Sequence, residues 1–489
     1  MDPYQHHGGV SLLTGWLPLT IEIVAVFAIV LVVARPSRKW WFLWVPVSAV
    51  VAAIVVWIGY RFLTSEGLAS DPAPAALWWW LGATAFALTA LIVGARRTSW
   101  WRRGASVIAV IAAALAAGVV LNQWVGYFPT VQEAWAQVTA GPLPDQVDAS
   151  ALSGMRDKPM THGAVVSVDV PSTTSHFAHR TEYVYLPPAW FAGKTPPSLP
   201  AIMMIAGEFN TPADWMRIGG VIPTIDAYAK AHDGQAPILV FPDVGGSFNN
   251  DTECVDGSRG NVATHLTDEV RTYAIDNFHA SSAGANWGVV GWSMGGTCAV
   301  DLATMHPDEF SAFEDIAGDA APSSGDKAQT ISRLFDGNAA AYNTYDPMQV
   351  MARHGHYADT LGWFDETSST QMHKWHGKHG GQRPGNGTGL GGSDTMFVAP
   401  GTELAAAKQL CTEGQKVGIT CSIHLRPGGH TWQFAQASFT EALPTLAKAI
   451  GTPDSTGAAA APATAYTPAN AAGSDAAGST GATSTATPQ

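Results

Sequence analysis

The chain has 489 residues, of which 47% are apolar and only 13% charged, so it is longer and more apolar than one ordinary soluble domain. The net charge of −13 is uneven: residues 1–150 hold eight Lys or Arg against seven Asp or Glu, and the remainder holds 18 against 32. Because phosphate binding needs clustered Lys and Arg, this acidic remainder argues against nucleic acid as a partner.

Four apolar runs dominate the first part of the chain, at residues 12–34, 40–63, 75–94 and 104–124. Each is close to the ~20 residues that a helix needs to cross a bilayer, so residues 1–125 are predicted to form a four-helix transmembrane module. A cleaved signal peptide is not expected, because no basic segment precedes the first run and three more runs follow it.

The loops between these runs predict an orientation. Two loops are basic and contain Arg35, Arg38, Lys39, Arg96, Arg97, Arg102 and Arg103. The remaining loop contains Glu66 and Asp71 and no basic residue. The positive-inside rule places basic loops in the cytoplasm, so everything after residue 125 is expected outside the cytoplasmic membrane.

The rest of the chain divides into a linker (126–160), a catalytic domain (161–451) and a tail (452–489) whose Ala, Thr, Ser, Gly and Pro composition predicts disorder. Within the domain, residues 164–170 and 182–186 are predicted to form an antiparallel pair of strands. Short apolar strands at 200–205, 236–241 and 287–291 alternate with helical segments such as 265–277. This alternation predicts an α/β fold, a mostly parallel sheet flanked by helices, behind the transmembrane module.

The third of these apolar strands ends in the hexapeptide Gly291-Trp292-Ser293-Met294-Gly295-Gly296, and a helical segment (297–305) follows. A G-x-S-x-G motif between a strand and a helix is typical of a nucleophile elbow. We therefore expect Ser293 to be a catalytic nucleophile and the amide of Met294 to donate to an oxyanion. The alternative is a purely structural tight turn.

A serine hydroxyl needs a general base, and His430 is the best placed of the 16 histidines. It lies in a Gly-rich turn between a predicted strand (421–425) and a predicted helix (434–450). The order serine, acid, histidine places the acid between Ser293 and His430, after a penultimate strand predicted at 360–364. The candidates are Asp365, Glu366, Asp394 and Glu403, followed by Asp315 and Asp319 after an earlier strand.

Other residues complete the predicted site. The loop 206–209 is expected to supply a second oxyanion donor, the amide of Glu208. The four cysteines fit two disulfides in an oxidising compartment, Cys254–Cys298 and Cys411–Cys421, with four unpaired thiols as the alternative. No cofactor or metal is expected, because the Gly residues around His373, His376 and His379 favour a flexible covering loop over a zinc site.

On the elbow, the Gly207 loop and Gly429-His430-Thr431-Trp432, residues 160–450 resemble the esterase D / antigen 85 branch of the α/β hydrolases, which includes S-formylglutathione hydrolases, feruloyl esterases and mycolyltransferases. In mycolyltransferases the acid follows a Gly-rich insertion, and the segment 366–393 resembles that insertion, so the resemblance favours Asp394. Mycolyltransferases carry an Asp at the position of Ala206 that contacts trehalose, and they are secreted. The resemblance therefore does not extend to the substrate.

The expected function is that of a membrane-anchored extracytoplasmic serine esterase or acyltransferase acting on lipid or glycolipid esters of the envelope through an acyl-enzyme. A different class of function is a catalytically silent relative that binds carbohydrate or envelope partners through the same cleft. A third is a transporter or sensor with a hydrolase-like ectodomain, for which the apolar helices offer little, since Glu22 is the one acidic residue within them.

Overall fold

The computed structural model describes residues 9–35, 37–66, 73–94, 99–125, 128, 130–139, 142–368, 402–428 and 430–453. The predictions made for Asp394, for His373, His376 and His379, and for nearly all of the tail therefore lie outside the described residues.

The first part of the chain forms four long helices, each long and apolar enough to cross a membrane. A π-helical turn, Trp40–Trp44, leads directly into the second. The mean hydropathies of the four membrane-spanning candidates range from 1.7 to 2.5. The helices are α1 (Trp16–Val33), α2 (Val45–Glu66), α3 (Ala75–Gly94) and α4 (Trp100–Val125). They confirm the four apolar runs as helices, while the side of the membrane on which each loop lies stays a prediction.

Alanine lines the contacts between these helices, with α4 packing against both α1 and α3. The buried alanines are Ala25, Ala28, Ala87, Ala90, Ala109, Ala112, Ala113 and Ala116. Small side chains let helix backbones approach closely. Such packing is expected of membrane helices, because their association depends on van der Waals contact and not on the hydrophobic effect. Large apolar side chains such as Phe27 and Trp57 point outward instead.

The segment predicted as a linker contains regular structure. It holds α5 (Val131–Val138), β1 (Gln146–Val147) and α6 (Leu152–Met155). Strand β1 pairs in parallel with the next strand of the domain. The folded sheet therefore begins about fifteen residues before the predicted boundary at 161.

The part of the chain after α5 is built on a nine-stranded sheet in the order β1-β2-β3-β5-β4-β8-β9-β10-β11. Strand β3 pairs antiparallel with both of its neighbours, and all other pairs in this sheet are parallel. The other strands are β2 (Ala164–Val168), β3 (Glu182–Leu186), β4 (Ala201–Ile205), β5 (Ile238–Phe241), β8 (Trp287–Trp292), β9 (Ala312–Ile316), β10 (Leu361–Thr367) and β11 (Thr420–Arg426), with a separate hairpin of β6 (Asp256–Gly257) and β7 (Gly260–Asn261).

Helices cover both faces of this sheet, which confirms the predicted α/β class. A π-helical segment, His265–Arg271, joins α10 to α11. The helices are α7 (Pro188–Phe191), α8 (Asp214–Arg217), α9 (Val221–Ala231), α10 (Val262–Thr264), α11 (Thr272–Phe278), α12 (Met294–Met305), α13 (Lys327–Leu334), α14 (Ala339–Tyr345), α15 (Pro347–His354), α16 (Thr402–Lys416) and α17 (Trp432–Ala449). Two buried apolar clusters, one on each face, form the core.

One strand boundary differs from the prediction in a way that matters for the site. Strand β10 does not end at Phe364 but continues to Thr367, because it is paired on both sides: Asp365 with Ile316, and Thr367 with Arg426. Asp365 and Glu366 therefore lie within the strand and point to opposite faces of the sheet. The predicted strand stops before Asp365 because charged residues usually lie outside a buried strand. In the structure the carboxyl groups of Asp365 and Glu366 are buried, so that end is too early.

Candidate active site

The predicted nucleophile stands at the turn between β8 and α12. Strand β8 ends at Trp292 and α12 begins at Met294, so Ser293 alone makes the turn. Its backbone has φ 60° and ψ −125°, a strained conformation for a residue with a side chain. Strain of this kind at a strand-to-helix turn is what presents a serine hydroxyl above the sheet.

The glycines around Ser293 are required by close contacts. A Cβ on Gly291 would overlap the carbonyl group of Gly295, the second residue of α12. A Cβ on Gly295 would collide with the carbonyl oxygen of Ile205 and lie 2.8 Å from that of Ala206. The elbow therefore needs glycine at 291 to close its own turn and glycine at 295 to pack against the end of β4.

The two predicted oxyanion donors belong to segments next to Ser293. Met294 is the first residue of α12, where an amide has no carbonyl partner within the helix. The loop 206–210, which we call the oxyanion loop, follows β4. A Cβ added to Gly207 would stand 3.1 Å from the Cβ of Ser293, so the oxyanion loop passes directly beside the nucleophile.

His430 is brought to the same place from the other end of the domain. Its ring centroid lies 5.2 Å from that of Trp292, the residue that precedes the nucleophile. The ring centroid of Trp432, the next aromatic residue, lies 4.4 Å from that of Trp292 at an interplanar angle of 48°, and Trp432 Nε1 donates to Asn210 Oδ1 at 3.2 Å. Trp292 and Trp432 therefore connect the histidine turn to the elbow, and Trp432 also connects it to the oxyanion loop.

A carboxylate stands beside His430, and it belongs to Glu403. Glu403 Oε1 lies 3.2 Å from His430 Nδ1, and each side chain is about one-tenth exposed. Glu403 is in the first turn of α16. From the sequence alone, Glu403 is only a further possibility after Asp394, Asp365 and Glu366.

The hydrogen bonds of His430 are not aligned in this state. Among the described residues, Ser293 included, no group makes a well-directed hydrogen bond to either ring nitrogen of His430, although Glu403 is within reach of one of them. In enzymes without substrate, catalytic hydrogen bonds are commonly long or poorly aligned and tighten in the Michaelis complex.

Asp365 is engaged elsewhere. Arg426 donates to its Oδ1 from Nε at 3.0 Å and from Nη2 at 2.7 Å, and Trp363 Nε1 donates to Oδ2 at 2.8 Å. With both oxygens bonded and no exposed surface, Asp365 holds an ion pair between adjacent strands. The expectation that it orients His430 therefore does not fit this geometry.

Glu366 lies on the other face of β10, is fully buried, and neither of its oxygens has a hydrogen-bond partner among the described residues. Burial, and next the nearby Glu403, raise the pKa of Glu366 well above its usual range. Its protonated form is therefore favoured beside Glu403. Asp315 behaves similarly: burial raises its pKa to about 8, although Gly318 N–H donates to its Oδ1 at 2.8 Å.

A residue that the sequence analysis missed holds the oxyanion loop. Arg180 donates to Asp243 from Nε and Nη2 at 2.6–3.1 Å, and its Nη2 also donates to the carbonyl oxygen of Asn210 at 2.8 Å. Asn210 Nδ2 in turn donates to the carbonyl oxygen of Glu208 at 2.8 Å. Arg180 lies in a loop without any motif, so no local signal could have identified it.

Both predicted cysteine pairs are at disulfide distance. The Cα atoms of Cys254 and Cys298 are 5.6 Å apart, and those of Cys411 and Cys421 are 5.7 Å apart. The first pair connects a loop to α12, which begins after Ser293. The second connects α16 to β11, the elements that carry Glu403 and lead to His430.

One cluster has the composition of a metal site. His179, Glu182 and His265 bring their ligand atoms within 4.8 Å of one another. However, both nitrogens of His265 already face carboxylates, Glu269 at 2.8 Å and Glu182 at 3.1 Å. The imidazole rings of His179 and His265 are also stacked, with centroids 4.8 Å apart and an interplanar angle of 21°. Nitrogen lone pairs in nearly parallel ring planes do not converge on one ion. This arrangement fits a buried ion network better than a metal site.

The sheet order, the elbow and the histidine turn define an α/β hydrolase. A family model described as "Putative esterase" matches residues 177–446, more than half of the chain, so the protein belongs to this esterase family. An uncharacterized protein of Corynebacterium glutamicum is 26% identical over 451 residues, which cover 90% of this chain and 98% of that protein.

Three solved structures illustrate the similarity of the fold. An S-formylglutathione hydrolase from Agrobacterium tumefaciens has a TM-score of 0.44 and 18% identity over 60% of this chain and 98% of its own. A ferulic acid esterase has a TM-score of 0.42 and 17% identity over 59% and 99%. MPT51 from Mycobacterium tuberculosis has a TM-score of 0.39 and 17% identity over 58% and 97%.

Proposed function

We propose that this protein is a membrane-anchored serine esterase or acyltransferase that uses Ser293 as nucleophile, His430 as general base and Glu403 as the acid. The observation that carries the proposal is the convergence of three separate chain segments on Trp292: the strained Ser293 follows it, the His430 ring lies beside it, and Glu403 lies beyond that ring. Family membership supplies the ester as the substrate class.

In this mechanism Ser293 Oγ attacks the ester carbonyl carbon while His430 Nε2 takes the hydroxyl proton. Glu403 holds the imidazole through Nδ1–H and stabilises the imidazolium that forms. The amides of Met294 and Glu208 bind the oxyanion, each contributing roughly 3 kcal/mol to transition-state binding by analogy with other oxyanion donors. His430 then protonates the leaving alkoxide, and an acyl-enzyme remains.

The second half-reaction releases the acyl group. Water or an acceptor alcohol attacks the acyl carbonyl, His430 removes its proton, and the same amides hold the second oxyanion. His430 returns the proton to Ser293 Oγ as the acid or new ester departs. Catalysis by these residues requires neither a metal nor an organic cofactor.

Labelling with a fluorophosphonate probe tests the nucleophile. Full-length protein in detergent is expected to be labelled and to hydrolyse p-nitrophenyl acetate, and Ser293→Ala is expected to lose both properties. An unlabelled but folded wild-type protein would favour the silent binding protein instead.

The acid is tested by a matched pair of variants. Glu403→Gln keeps the shape of the side chain but removes its charge, so kcat is expected to fall by roughly 10³–10⁴-fold. Asp394→Asn serves as the control and is expected to keep kcat within about 3-fold of wild type, because this proposal gives Asp394 no part in the reaction. The reverse result would assign the acid to Asp394.

We further propose that the catalytic domain lies outside the cytoplasmic membrane and acts on lipid-like esters of the envelope. The basic loops support this orientation, and cysteine pairs at disulfide distance fit an oxidising compartment. Protease added to spheroplasts should digest the domain after residue 125 without lysis. Lipid analysis of a deletion strain complemented with wild type or Ser293→Ala would then identify the ester that changes.

A further inference from the structure

Two phenylalanine rings stand together at the edge of the candidate site. Phe209 belongs to the oxyanion loop, and Phe248 belongs to the loop 243–250 that follows β5. Their ring centroids are 5.4 Å apart with an interplanar angle of 44°. Phe248 is 71% exposed. Within the described part of the catalytic domain, only Leu425 is a comparably exposed large apolar residue, and it stands alone on β11.

The backbone of Phe209 is held in an unfavourable conformation. Its φ of 64° is left-handed, which is rare for a bulky aromatic residue. Such strain persists only where the surroundings enforce it, and it concentrates at functional sites. Here the next residue enforces it, because Asn210 is bonded through its side chain to Trp432 and through its carbonyl oxygen to Arg180.

The loop that carries Phe248 is fixed by the same ion pair. Asp243, the partner of Arg180, accepts from the amides of Gly245 at 3.3 Å and Gly246 at 3.0 Å. Asn250 Nδ2 then closes the loop by donating to the carbonyl oxygen of Gly245 at 2.9 Å. The two rings are therefore presented by preorganised backbone, as a binding surface requires.

The position of the pair relative to the reacting atoms points to the occupant. Phe209 directly follows Glu208, the predicted oxyanion donor, and Gly207 faces the Cβ of Ser293. An ester carbonyl bound between Met294 and Glu208 would extend one of its two substituents toward these rings. Burying an apolar substituent of the ester against these rings would be favourable, because it removes apolar surface from water.

We propose that Phe209 and Phe248 form a subsite for the hydrocarbon chain of the ester substrate. The proposal rests on the proposed function, since it presumes an ester held beside Ser293. The chain could be the acyl chain or the alkyl chain of the alcohol, and both have the same chemistry.

The test uses two substrate series with full-length protein in detergent, at substrate concentrations below micelle formation. One series varies the acyl chain as p-nitrophenyl acetate, butyrate and octanoate. The other varies the alcohol as ethyl, butyl and octyl acetate. Wild type is expected to prefer long chains in one series only, which identifies the side of the ester that contacts the rings.

Phe248→Ala should reduce kcat/KM for the octyl or octanoyl substrate by about 10-fold in that series, because several methylene contacts are lost. The value for the shortest ester should stay within about 2-fold of wild type. Phe248→Leu should retain most of the long-chain preference, and Leu425→Ala, the matched exposed apolar control, should not change it.

The proposal is overturned if wild type shows no chain-length preference in either series, or if Phe248→Ala affects short and long esters equally. These outcomes are distinct from failure of the proposed function. If the proposed function itself fails, the wild-type protein will react with neither the fluorophosphonate probe nor the shortest ester.

Discussion

Replacing Arg180 by methionine separates the role of this residue in folding from its role in catalysis. Arg180 is the partner of a carboxylate, Asp243, that is only 1% exposed, and it also binds the carbonyl oxygen of Asn210 in the oxyanion loop. The variant keeps the length and apolar stem of the side chain. It removes the charge and all donors of the guanidinium group.

The size of the stability loss follows from the contacts. Removing one partner of a fully buried ion pair costs about 3–5 kcal/mol. The Arg180 side chain is 26% exposed, however, and Asp243 keeps the amide donors of Arg180, Gly245 and Gly246. We therefore expect a loss of about 2 kcal/mol in the free energy of unfolding.

The catalytic loss follows from the amide of Glu208. Losing a whole oxyanion donor costs roughly 10²–10³-fold in kcat. Since Arg180→Met loosens the loop without removing the amide, we expect kcat on p-nitrophenyl acetate to fall by about 10–100-fold. KM should change little, because the oxyanion forms only in the transition state. The assays are thermal unfolding and steady-state kinetics at a temperature where the variant is folded.

Arg259→Met is the matched control. Arg259 donates to the carbonyl oxygen of Asp251 at 2.7 Å and lies 3.4 Å from its buried carboxylate, but makes no hydrogen bond to the described oxyanion loop. It should lose stability with kcat nearly unchanged. If both variants lose stability and kcat in the same proportion, or if Arg180→Met leaves kcat unchanged, the positioning role of Arg180 is refuted.

Two further predictions concern buried titratable groups. Burial, and next the nearby carboxylates Asp346 and Asp315, raise the pKa of Asp301 well above its usual range, so Asp301→Asn should stabilise the fold at pH 8, by an amount that shrinks as the pH of thermal unfolding falls toward 4. Burial alone would lower the pKa of His265, but its carboxylate partners raise it, so its contribution is complete below about pH 6.5 and is lost as pH rises through the raised value. Burial alone would raise the pKa of Glu269, but its hydrogen bonds lower it to about 2. The contribution of Glu269 to stability is therefore complete above about pH 4.5 and is lost in stronger acid. The Tm difference between wild type and His265→Gln should therefore be largest at pH 5–6 and smaller at pH 9, and a pH-independent difference would contradict the ion network.

The parts of the domain with local signals could be predicted from the sequence. The strand that ends at Trp292 and the helix after Ser293 follow from an apolar run, a glycine-flanked turn and a helical pattern, all within about twenty residues. The strand and helix around His430 follow in the same way. Each of these elements was placed within about three residues of its observed bounds.

The acid could not be predicted in this way, because its identity depends on how distant segments pack. Glu403 lies 36 residues after the end of β10 and reaches His430 only because α16 packs against β11. Nothing in the local sequence distinguishes Glu403 from Asp365, and the difference is the arginine that pairs with Asp365 from the neighbouring strand. Sequence order limits the candidates, and tertiary packing chooses among them.

The two cysteine pairs lie in the segments that carry the proposed catalytic groups. Cys254–Cys298 links the helix after Ser293 to the chain that follows the Phe248 loop. Cys411–Cys421 links the helix of Glu403 to the strand that leads to His430. Each cross-link therefore restrains a segment that supplies a proposed catalytic group. Such restraint is available only where thiols are oxidised, so the geometry of the site and the proposed side of the membrane depend on each other.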